Sequence, residues 1–177
     1  TLFDWEWDQM GNGGNLEDAV KYANQKGVKP MIWFNSGGPH NRVGSTPRDM
    51  LITHESRVKT FEWLKKIGVY GIKVDFFESD KQNIMNYYID ILEDAADYEL
   101  MVNFHGSTVP RGWSRTYPHL MSMEAVFGAE QYNNGPIMTE KGAELNTIYP
   151  YTRNVIGPMD YTPVAFTNSQ HPHTTTY

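Results

Sequence analysis

Residues 69–77, VYGIKVDFF, constrain this chain more than any other stretch. The run is apolar and strand-like, yet it carries a lysine and an aspartate two positions apart. Side chains alternate across a strand, so Gly71, Lys73 and Asp75 share one face and Ile72, Val74 and Phe76 share the other. A charge buried without a partner is costly. The polar face must therefore be a salt bridge, a satisfied network or a working site.

The elements around it narrow the choice. Strands are expected at TLFDWEWD (1–8), PMIWFN (30–35), LMVNFH (100–105) and HLMSMEAV (119–126), separated by helical stretches. Asn15 is placed to cap a helix through LEDAVKYANQK, with Glu17 and Asp18 in its first turn and Gly27 as its stop. A second helix, over 53–67, carries the apolar stripe Val58, Phe61, Leu64 and Ile67 and ends at Gly68. A third, over 80–97, turns Ile84, Tyr88, Ile91, Leu92 and Ala95 inward. A helix near 139–148 and a strand around 154–159 complete the expected order.

Strands alternating with helices indicate βαβ units and a parallel sheet. No glycine-rich phosphate fingerprint follows any strand, which disfavours a dinucleotide fold. The strands instead finish in polar residues: Asp8, Asn35, Asp75, His105 and Glu124. A doubly wound sheet gathers ligands at one crevice, whereas a (β/α)8 TIM barrel collects functional groups from many strand ends, and the barrel is the better match. A complete barrel takes about 250 residues, and this chain has 177. The expectation is one partial barrel domain over 1–177, a central piece of a longer protein.

Charge and composition bound the partners. The net charge of −6, with no basic block, leaves no footprint for nucleic acid. No apolar stretch is long enough to span a membrane as a helix. With no cysteine there are no disulfides and no thiolate metal sites. Five tryptophans and eleven tyrosines suit sugar faces as well as a large core. Trp5, Trp7, Trp33 and Trp113 are the candidates for stacking on a sugar.

Two carboxyl groups facing each other across a barrel mouth can hydrolyse a glycoside: one donates a proton to the leaving oxygen, the other attacks or activates water. Asp75 paired with Glu124 or with Glu130 satisfies that requirement, and spacing does not choose between the glutamates. Lys73, His105 and Asn35 lie where they would line the same mouth. A lysine and an acid on one barrel strand also suit a metal-assisted lyase or isomerase, although that reading needs three acids on successive strand ends. A sugar-binding barrel without turnover is the non-enzymatic alternative.

The segments DWEWD, GIKVDFFESDKQ and VNFHGSTVPRGWSRTYPHLMSMEAVFGAEQY resemble glycoside hydrolase family 97, a family of calcium-dependent α-glucosidases and α-galactosidases. The resemblance implies a (β/α)8 barrel between an N-terminal β-sandwich and a C-terminal β domain, neither of which lies within these residues. It implies an oligosaccharide or glycoside substrate and a periplasmic or secreted bacterial setting. The family's inverting branch places general-base glutamates at positions that here resemble Asn35 and Gly106, so neither can act as a base. Its retaining branch places an aspartate nucleophile where Asp75 lies. By the same resemblance Glu130 matches the acid/base, Glu124 a calcium ligand, and His105 a histidine that touches sugar hydroxyls. The implied activity is that of a retaining α-galactosidase, with α-glucosidase the alternative within the family. Lys73, Asn35 and Trp33 complete the expected substrate-binding set.

Overall fold

The computed structural model describes residues 15–162 apart from residue 135; the side chains of 133–139 are left aside. The strand expected over 1–8 and the tryptophans at 5 and 7 lie outside the described residues. Four parallel strands, β1 (Met31–Asn35), β2 (Gly71–Asp75), β3 (Met101–Phe104) and β4 (Leu120–Met123), pair in the order β1-β2-β3-β4. Helix α1 (Leu16–Gln25) precedes β1, α2 (His54–Ile67) and α3 (Gln82–Asp97) form the first two crossovers, and α4 (Pro136–Ile148) follows β4.

Local chemistry accounts for the helix ends. The Asn15 side chain accepts a hydrogen bond from the Asp18 backbone, and Thr53 forms a reciprocal capping box with Ser56. Gly68 stops α2 in the left-handed conformation, φ 89°. Outward-facing Ile32, Phe34, Ile72, Val74, Val102 and Phe104 form one core with Phe61, Leu64, Tyr88, Ile91, Leu92 and Ala95 of the helices. Across it the buried Arg57 and Asp94 join α2 to α3, with His54 on the other carboxylate oxygen 2.9 Å away. Strand order never reverses among the described residues, and the helices α1–α3 share this one core. The described sheet is therefore wound in one direction and has no switch-point crevice of the doubly wound kind.

Two expectations are corrected. Phe76 does not continue the alternation of β2. It adopts a left-handed backbone, φ 64°, which ends the strand at Asp75 and turns the Phe76 ring onto the inner face beside Trp33. Phe77 enters the core in its place, stacked on Tyr88 at 3.9 Å and edge-on to Phe104 at 5.3 Å. The strand expected around 154–159 is a 3-10 turn at Arg153–Ile156. The buried Arg153 guanidinium donates to the carbonyls of Met123, Glu124, Ala125, Gly157 and Pro158, and satisfying those donors gathers the backbone around it. Beyond this turn, the Ala129 and Glu130 N–H groups bond to the Tyr161 and Thr162 carbonyls.

Candidate active site

Parallel register stacks the inner face in layers. Trp33 lies level with Lys73, Lys73 with Asn103, and Asn103 with Ser122. One step nearer the strand ends come Asn35 and Asp75 in register, then His105 and Glu124 immediately after β3 and β4. The backbone ladder fixes these last two: His105 N–H donates to Val74 O and Glu124 N–H to Phe104 O. Each strand thus delivers one polar side chain to a single level.

Asp75 is the best oriented of them. Its Oδ2 accepts from Trp33 Nε1 at 3.1 Å and its Oδ1 from the Phe76 N–H at 2.8 Å. Burial raises its pKa above the ordinary aspartate value, opposed by the Trp33 hydrogen bond, the fields of His105 and Lys73, and the Phe76 N–H. Lys73 is buried and acts on Asp75 through its field. Among the described residues it makes no ion pair within 4.0 Å, so the two β2 charges are not paired directly with each other.

His105 is the hub. Its Nδ1 lies 3.6 Å from Asp75 Oδ2 and 3.3 Å from Glu124 Oε2, and its Nε2 lies 3.2 Å from Asp160 Oδ2. Burial works to lower the His105 pKa, but Asp160, Glu124 and Asp75 together outweigh burial and Lys73, and the net shift is upward. Glu124 Oε2 also accepts from the Gly106 N–H at 2.6 Å. Burial, followed by the neighbouring Glu130 carboxyl, pushes Glu124 up to about 7. Ligand atoms of His105, Glu124 and Glu130 all fall within 4.8 Å of one another, so Asp75 and Glu130 flank the same imidazole.

Two expected sugar contacts have other partners. Trp33 is 1% exposed, and its ring meets Phe76 edge-on while its N–H holds Asp75. Asn35 is fully buried; its amide donates to Val43 O and Ser45 O and accepts from Gly37 N–H and Asn41 Nδ2. Trp33 holds the Asp75 carboxylate, and Asn35 ties down the loop after β1. Trp113 packs on Tyr88 at 5.3 Å, at the edge of the core.

Sequence reasoning missed Asp160. It accepts from Asn103 Nδ2 at 2.7 Å and from the Thr162 hydroxyl at 3.0 Å as well as facing His105. The hydrogen bonds to His105 and Asn103 hold its carboxyl well below the usual carboxylate range. The signal that singled out Asp75 and Glu124, a polar residue closing an extended run, applied equally to the acid ending GPMD.

Gly106 leaves no room for a side chain beside Asp75. A Cβ there would lie 2.8 Å from Phe76 N and 2.9 Å from Asp75 Oδ1, at a backbone φ of 48°. Gly106→Ala is expected to displace the carboxylate and lower kcat by about 100-fold, the cost of roughly 1 Å of misplacement. Steady-state kinetics on the full-length protein, with circular dichroism to confirm folding, is the check.

The parallel α/β scaffold thus gathers four acids around one buried imidazole at the carboxyl ends of its strands. The chain belongs to the family Glycoside hydrolase 97, whose model matches residues 4–126. It is 38% identical over 170 residues to a protein named probable retaining alpha-galactosidase from Streptomyces bingchenggensis, covering 96% of this chain and 23% of that one. It is 33% identical over 156 residues to a retaining alpha-galactosidase from Bacteroides thetaiotaomicron, covering 88% and 21%. Among solved structures it is similar to a beta-arabinopyranosidase, with 37% identity, a TM-score of 0.84, and coverage of 92% of this chain and 26% of that one. The chain thus spans less than a quarter of the length of the two sequence relatives.

Proposed function

We propose that this chain is the nucleophile-bearing part of a (β/α)8 barrel in a retaining α-galactosidase, with Asp75 as nucleophile and Glu130 as acid/base. The observation that carries the reading is the Asp75 carboxylate, held by Trp33 Nε1 and the Phe76 N–H and facing the same His105 nitrogen as Glu124, whose neighbour is Glu130. Asp75 attacks the anomeric carbon and forms a glycosyl-enzyme while Glu130 gives its proton to the departing oxygen. Glu130 then takes a proton from water, which releases the sugar. Raised basicity favours Asp75 as a nucleophile, and the fields of Lys73 and His105 keep it ionised. In this reading Lys73 and His105 meet sugar hydroxyls.

The donor set suits calcium in part. Glu124 commits Oε2 to Gly106 and His105, which leaves its other oxygen for a cation, and the carboxyl of Glu130 stands beside it. Calcium prefers six to eight oxygen ligands, so these residues would hold one side of it. Bound there, it would supply positive charge against two crowded carboxylates. The nitrogen of His105 is the poorer match for such an ion.

The test is the configuration of the first product. Proton NMR during hydrolysis of an aryl α-galactoside by the full-length enzyme is expected to show the α-anomer of galactose before mutarotation. A first-formed β-anomer would overturn the assignment of Asp75 as nucleophile. A second sugar is supported by the similarity to the beta-arabinopyranosidase. β-L-arabinopyranose has the ring stereochemistry of α-D-galactopyranose without the exocyclic hydroxymethyl group, so the two aryl glycosides compared by kcat/KM decide which the pocket prefers.

A further inference from the structure

We propose that Ser36 is a positioning residue for the nucleophile: from the end of β1 it clamps the left-handed turn at Phe76, so that the Phe76 N–H stays on the Asp75 carboxylate. The inference rests on the proposed role of Asp75, but the contacts that carry it are separate from the glutamates and the imidazole.

Beyond the last register pair of β1 and β2, Ser36 takes over the joining of the two strands. Its N–H donates to Asp75 O at 2.8 Å and its hydroxyl to Phe76 O at 3.0 Å, while its own carbonyl accepts from the Tyr87 hydroxyl at 2.8 Å. The residue is fully buried. Phe76 has a left-handed backbone, φ 64°, a conformation that a bulky residue keeps only where its surroundings over-determine it. Its N–H is spent on Asp75 Oδ1 at 2.8 Å and its carbonyl on Ser36, so both of its soft backbone torsions are pinned.

The amide beside Ser36 fixes the direction of its proton. Val43 N–H donates to Asn41 Oδ1 at 2.8 Å, so the NH2 of Asn41 faces the other way, toward Asn35 Oδ1 at 2.5 Å and Ser36 Oγ at 3.1 Å. Asn35 is oriented by the same logic, its oxygen receiving Gly37 N–H at 2.9 Å. Ser36 Oγ therefore accepts from an amide and faces in Phe76 O a carbonyl that can only accept, which leaves the hydroxyl one place to send its proton. Every step from Val43 to Phe76 uses a group whose donor or acceptor role does not change with pH. Ser36 reaches the carboxylate only through the backbone of Asp75 and Phe76, so it touches no reacting atom.

Ser36→Ala in the full-length enzyme tests this. It leaves Phe76 O without its donor, and a crystal structure of the variant is expected to show Phe76 N more than about 3.5 Å from Asp75 Oδ1, outside hydrogen-bond reach. A bond kept there overturns the proposal whatever the kinetics. kcat is expected to fall at least about tenfold, toward the roughly 100-fold that about 1 Å of misplacement costs, with KM within about threefold. A serine serving stability alone would lower the melting temperature and leave kcat per folded molecule unchanged, and that result also overturns it. In an Asp75→Ala background, where the carboxylate is gone, Ser36→Ala is expected to leave azide-rescued turnover within about threefold; a further loss of about tenfold would mean that the serine acts elsewhere in the site. Should Ser36→Ala not fold, Asn41→Asp carries the test. It keeps the cap on Val43 N–H, puts an acceptor in place of the donor and draws the Ser36 proton off Phe76 O, with the same loss expected and an unchanged kcat overturning the proposal. If Asp75→Ala keeps wild-type kcat, the nucleophile reading fails, and the crystal structure of the Ser36 variant still decides the clamp.

Discussion

Asp75→Ala in the full-length enzyme is expected to abolish hydrolysis, with kcat falling at least ~10^4-fold as for other enzymes deprived of their nucleophile, while azide restores turnover in part. The expectation follows from what the substitution leaves behind. Trp33 Nε1 and the Phe76 N–H lose their acceptor, and the space vacated by the carboxylate lies on the side of the sugar from which Asp75 attacks. A small anion entering that space attacks the anomeric carbon once, with no second displacement to restore configuration. The product is therefore the β-glycosyl azide, inverted relative to an α-linked substrate, and its configuration is read from the anomeric proton. Rescue needs an activated leaving group, which departs with little help. A variant that keeps wild-type kcat, or an azide product of retained configuration, removes Asp75 from the nucleophile role.

The sequence led to this residue because β2 breaks a rule of burial. A run that should be wholly apolar placed two charges on one face, and the parallel register then put neighbours from β1, β3 and β4 on the same level. Alternation and strand-end polarity are local signals, so strands, helices and the acids at 75 and 124 were legible from them. What failed were the places where a long-range contact overrides the local pattern. Phe76 has a side chain suited to the core, but the turn that aims its N–H at Asp75 sends Phe77 there instead. The apolar residues after Asn154 suit a strand, but the Arg153 guanidinium draws five carbonyls around itself. Of Trp33 the sequence says only that it is aromatic. That its N–H ends on a carboxylate 42 residues away is a property of register. Asp160 went unnoticed because its partners, Asn103 and His105, sit 57 and 55 residues earlier in the chain.

Glu130→Gln is expected to separate the two glutamates that spacing alone left equivalent. Glu124 is pushed up to about 7, by burial first and then by the neighbouring Glu130 carboxyl. Geometry favours Glu130, because Glu124 is committed to the Gly106 N–H and to His105 whereas Glu130 is partly open. If Glu130 is the acid/base, its amide variant loses about 10^2- to 10^4-fold on substrates with a sugar leaving group, the usual worth of a positioned proton donor. Dinitrophenyl glycosides, which leave unaided, still form the glycosyl-enzyme and accumulate it, giving a burst followed by slow release. Azide then speeds release, since an anion needs no base, and the product keeps the α configuration because Asp75 has already inverted it once. That outcome is the mirror of the Asp75→Ala product, so the two variants together assign both steps. If Glu124→Gln shows the leaving-group dependence and Glu130→Gln does not, the proton belongs to Glu124 and the roles proposed for the two glutamates are exchanged.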